Sequence, residues 1–87
     1  MVLKIIVKDV LSRDLGANYQ AKELFEENIN LSDDEEVILD FEGVFAMGRS
    51  FAQQYWSQKL RSDKKVTEIN QPEMVYNMLR VVRKDFD

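Results

Sequence analysis

The sequence predicts an α/β domain: a small single-domain, parallel-rich sheet in the order β-α-β-α-β-α, with helices mainly on one face. Three observations carry that expectation. Short β-rich runs stand at Val2–Val10, Val37–Phe41 and Lys65–Ile69. The segments between and after them repeat their apolar residues at helical spacing. Strands separated by helices of this length pair in parallel, with right-handed crossovers. A chain of 87 residues, with no repeat and no Pro/Gly-rich linker, has room for one domain, 1–87.

In the first run, Leu3, Ile5 and Val7 alternate with Lys4, Ile6 and Lys8, so one face of the strand is better buried than the other. Ser12 or Asp14 can open the next element. From Ala17 the apolar stripe is Ala17, Ala21, Leu24, Phe25 and Ile29, one face of a helix. The run Leu31–Glu36 breaks it with charge and turn formers, and reads as a solvated turn. Val37–Phe41 is apolar except for Asp40, which suits a central strand covered on both sides or nearly so. A mostly apolar loop, Glu42–Gly48, leads to Ser50, a good N-cap for a helix that buries Ala52, Tyr55, Trp56 and Leu60. Ser62–Lys64 is a polar turn. The polarity around Val66 makes the last strand a sheet edge. Asn70 with Glu73 makes a capping box, and Pro72 sits in the first turn of a helix striped by Val75, Met78, Leu79, Val82 and Phe86.

Composition excludes whole classes of chemistry. The chain has no histidine and no cysteine. It therefore has no disulfide, no Cys–His nucleophile, no Ser–His–Asp triad and no zinc finger. The apolar runs fall far short of the ~20 residues of a membrane span. Met1–Lys4 does not open a signal peptide, and the expected location is cytoplasmic. A net charge of −4 argues against general nucleic-acid binding. Two local basic groups stand out nonetheless: Lys59, Arg61, Lys64 and Lys65, then Arg80, Arg83 and Lys84.

Ligands of an open parallel sheet collect beyond the carboxyl ends of its strands. Asp40 and Glu42 stand there and would share a strand face, which suggests a magnesium or phosphoryl site. The simpler reading is that Asp40 accepts backbone amides at the strand end while Glu42 is solvated. Gly48-Arg49-Ser50 enters a helix whose first amides could meet an anion, but it has neither the spacing nor the Lys-Ser/Thr pair of a P-loop. Phe51, Tyr55 and Trp56 read as core and rim rather than as a stacking platform for bases.

The segment Val37–Ala52 (VILDFEGVFAMGRSFA) resembles the central strand, loop and helix of STAS domains, the fold of anti-sigma factor antagonists. It is most similar to a short STAS-like branch that reads Asp-Phe, Gly-Val, a short loop, then Ser-Phe-Ala. The extra first strand of full-length STAS domains has no counterpart here. The resemblance implies a non-catalytic regulatory module, without cofactor or metal, that docks another protein. In well-studied members, a histidine-kinase-type ATPase phosphorylates a serine in an Asp-Ser-Ser-Gly motif ahead of the second helix. Here that motif falls on Gly48-Arg49-Ser50-Phe51, so Arg49 stands at the usual acceptor and only Ser50 is retained.

The expected docking surface is therefore the loop and helix start at 43–56: Gly43, Phe45, Met47, Gly48, Arg49 and Ser50, with Ser50 the candidate for phosphorylation. The alternatives are an acidic-ligand or nucleic-acid binder using the two basic groups, and a magnesium-dependent phosphoryl site at Asp40 and Glu42. A fourth is a subunit whose open sheet face or polar edge strand makes a homodimer.

Overall fold

A computed structural model describes all residues, 1–87. Three parallel strands form the main sheet in the order β1-β3-β5. They are β1 (Val2–Ile6), β3 (Glu36–Asp40) and β5 (Lys65–Ile69). A second, two-stranded parallel sheet pairs β2 (Asp14–Leu15) with β4 (Ala46–Met47). The helices are a single turn, α1 (Val7–Val10), then α2 (Asn18–Leu24), α3 (Arg49–Arg61) and α4 (Glu73–Arg83). The α/β class and the parallel sheet are as the sequence predicts.

The register explains why one face is covered. Leu3, Val37 and Val66 lie in one cross-strand row, and Ile5, Leu39 and Glu68 in the next. Five of those six side chains are apolar, and they meet the helices in a single core with Leu24, Phe25, Phe51, Tyr55, Val75 and Val82. The opposite face carries Val2, Lys4 and Ile6 beside Glu36, Ile38 and Asp40, then Lys65, Thr67 and Ile69. It has no helix over it, and Ile38 is half-buried. β3 is thus central but covered on one side only, a correction to its sequence reading. Asp40 is buried even so, because Lys4 and Asn70 lie against it.

Other boundaries move for physical reasons. The first strand ends at Ile6, and the chain coils into α1 so that Val7 enters the core while Lys8 and Asp9 keep contact with water. α2 starts after Ala17, whose N–H donates to the Gln20 side chain. It widens into a π-turn at Phe25–Ile29, closed by the Asn30 N–H on the Phe25 carbonyl at 2.7 Å. That wider turn keeps both Phe25 and Ile29 fully buried.

The N-cap of α3 is Gly48, and Ser50 is an exposed residue of its first turn. α3 buries Phe51, Ala52, Tyr55 and Gln58, whereas Leu60 is half-exposed. The cap of α4 is Pro72. Asn70, at φ +53°, takes a left-handed turn conformation and sends its side-chain N–H to Asp40. Phe86 falls in a 3-10 turn beyond α4 and stays partly exposed.

Candidate functional site

The loop between β3 and α3 is short but stiff. Glu42 and Gly43 turn the chain, and Gly43 has φ +83°, which disfavours any side chain. A Cβ there would also press on the Lys8 side chain at 2.9 Å. Val44 then drops into the core. The Phe45 N–H donates to the Arg13 carbonyl at 2.9 Å, and the Gly48 N–H to the Leu15 carbonyl at 2.9 Å. These bonds stitch the loop to β2. Gly48 sits at a close approach, since a Cβ would lie 3.0 Å from the Gly16 carbonyl oxygen.

The result is a rigid ledge beside the start of α3. It presents Phe45, 68% exposed, together with exposed Gly43, Arg49 and Ser50. Met47 is not part of that surface. It is 5% exposed and packs in the core. Arg49 is not free either: its guanidinium meets Asp85 at 3.0 Å, with both side chains about half exposed. Exposed pairs of this kind are worth about 0–1 kcal/mol, so a partner carboxylate could replace Asp85 at little cost.

Asp40 and Glu42 do not make a cation site. Asp40 Oδ1 accepts the Glu42 N–H at 2.9 Å and the Asn70 side-chain N–H at 3.2 Å, and Oδ2 lies 3.7 Å from Lys4 Nζ. The Glu42 backbone N–H above all, then Asn70 and Lys4, hold the Asp40 carboxyl below its usual range against the opposing effect of burial. Glu42 itself points to solvent. No three acidic groups converge anywhere on the chain. Asp40 is a clamp between the ends of β3 and β5.

The basic groups divide. Lys64 bonds the carbonyls of Ser32 and Asp34, Arg61 bonds Ser57 of its own helix, and Lys65 lies 3.8 Å from Glu36. These side chains each have a partner close by. Lys59 and Arg83, by contrast, converge on Trp56: the Lys59 ammonium lies 5.0 Å and the Arg83 guanidinium 5.4 Å from the ring centroid.

Two features escape sequence reasoning. Glu68 points inward from an edge strand, where it accepts the Tyr55 hydroxyl and pairs with Lys59 at 2.7 Å. Period-two alternation from Val66 is its only sequence signal. The second is the β2–β4 sheet, whose two-residue strands show no alternation at all. Its trace is the repeated pair Leu15-Gly16 and Met47-Gly48, a buried apolar residue followed by a glycine.

No protein-family model, no curated protein and no solved structure matches the chain.

Proposed function

We propose that the protein is a non-catalytic docking module whose partner seats on the ledge formed by Phe45, Arg49, Ser50 and the exposed side of α3. One observation carries this reading: an aromatic side chain stands exposed on a loop fixed from both sides by backbone hydrogen bonds. A rigid presentation lowers the ordering cost when a partner binds. Arg49 adds a charged anchor that can exchange Asp85 for an acidic partner residue.

The resemblance of Val37–Ala52 to STAS domains supports the same surface, and suggests a histidine-kinase-type ATPase as the partner. Ser50 lies exposed in the first turn of α3. A phosphate there would add about −1.5 to −2 charges, favour the helix start, and repel an acidic partner.

The test is affinity capture from a lysate of the source organism, with and without ATP, using the native chain, Phe45→Ala, Arg49→Glu and a distant control, Lys22→Glu. A protein retained by the native chain and the control but lost with both ledge variants is the expected result. Equal retention by all four chains contradicts the proposal.

A further inference from the structure

The convergence of Lys59 and Arg83 on Trp56 opens onto a second, separate feature. Between α3, α4 and the β5–α4 connection lies a pocket of about 250 Å³. Trp56, Tyr76 and Leu79 make its aromatic and apolar lining, and Gln71, Arg80 and Arg83 line it as well. Tyr76, Leu79, Arg80 and Arg83 recur at i, i+3, i+4 and i+7, so a single stripe of α4 faces the pocket.

Its electrostatics are one-sided. Glu68, the acidic wall residue, is already satisfied by Tyr55 and Lys59. Arg80 is exposed and takes part in none of the chain's five salt bridges. Arg83 is held in place by the indole face and by an exposed pair with Asp87 at 2.6 Å. Two arginines from adjacent turns thus line one pocket of a chain whose net charge is −4.

The geometry points to a binding site for a phosphate monoester that also bears a planar ring. Guanidinium forks match the several oxygens of a phosphate, and two of them can share one dianion. The Gln71 amide adds a donor. Tyr76, 52% exposed, lines the pocket and supplies an aromatic ring for stacking. A pocket of this volume is smaller than the ~300–1,000 Å³ of drug-sized sites, so it takes a single ring-bearing phosphate. Such a group comes either as a free mononucleotide or as a phosphotyrosine side chain.

Trp56 is the chain's sole tryptophan and lines the pocket, with its Nε1–H fixed on the Leu79 carbonyl at 2.8 Å. Its indole N–H resonance therefore reports occupancy directly. The experiment titrates the ¹⁵N-labelled chain with AMP, O-phosphotyrosine, adenosine and inorganic phosphate, and repeats each titration on Arg80→Ala and Tyr76→Ala. The expected result is a saturable shift of the Trp56 indole resonance with AMP or with O-phosphotyrosine. Which of the two binds more tightly identifies the source. Arg80→Ala should weaken that binding at least tenfold without changing the thermal midpoint, Tyr76→Ala should weaken it less, and rising salt should weaken it in the native chain. No indole shift with either ring-bearing phosphate overturns the proposal. So does adenosine binding as tightly as AMP, or binding that Arg80→Ala leaves intact.

Discussion

Tyr55 is the residue on which most of the core turns. Its ring lies 5.5 Å from Trp56, 5.6 Å from Phe25, 6.1 Å from Phe51 and 6.5 Å from Phe41, centroid to centroid. Its hydroxyl reaches through this cluster to Glu68, which Lys59 neutralises. Tyr55→Phe keeps the packing and removes one hydrogen bond to a charged acceptor, so it should cost about 1.5–3 kcal/mol in urea unfolding at neutral pH. Burial first, and the Glu68 charge second, raise the Tyr55 hydroxyl well above its ordinary value near 10. A raised folded-state value stabilises the fold fully below that ordinary value, and the stabilisation is lost as pH climbs toward the folded one. The native chain should therefore lose stability above about pH 10 more steeply than Tyr55→Phe; equal slopes would contradict this role. Asp40 works at the other end of the scale. Its lowered folded-state value gives stability that is complete above the unfolded carboxyl value of about 3.9 and is lost as pH falls through the folded one. Asp40→Asn should flatten the acid limb of a urea-midpoint profile, and an unchanged acid limb would remove Asp40 from the account.

At the scale of elements, the chain's pattern of apolar residues is a good guide wherever an element is long enough to show its period. The three strands of the main sheet, the central place of Val37–Asp40 and the edge place of Lys65–Ile69 all follow from alternation and polarity. The stripe Val75, Leu79 and Val82 is the buried face of α4. Caps are less legible, because Ser50 and Asn70 have the right chemistry but each lies two residues from the observed cap. Ser50 stands free because Gly48, packed closely on Gly16, already caps α3. Asn70 is drawn away by Asp40. The ledge is half legible: its glycines and Phe45 stand out in the sequence, whereas the burial of Met47 depends on β2, which no periodicity reveals. The turn at Gly43 is the element's weak point. Gly43→Ala must place a Cβ at φ +83° and push Lys8 aside, and should cost about 1–2 kcal/mol by thermal or urea unfolding. A neutral Gly43→Ala would mean that the loop is not held as described.

The whole molecule is a one-sided sandwich, with helices over one face of a three-stranded sheet and both outer strands unpaired on one side. Beside the free edge of β1 runs a broad groove of about 580 Å³ that includes Ile6, Val10 and Leu31. Edge strands of this kind are guarded by charge, and Lys4 is the charged residue in the middle of β1. Lys4→Ile should raise concentration-dependent self-association in light scattering, and a variant that stays as monodisperse as the native chain would show that the edge is protected otherwise. Groove, ring pocket and ledge are lined by different residues, so one small fold offers a partner several distinct surfaces. The central claim is that the ledge is the surface used. Hydrogen–deuterium exchange of the chain, alone and in complex with the captured protein, tests it most directly. Protection concentrated on Glu42–Gln54 is the predicted result, and protection confined to β1 and its groove would contradict it.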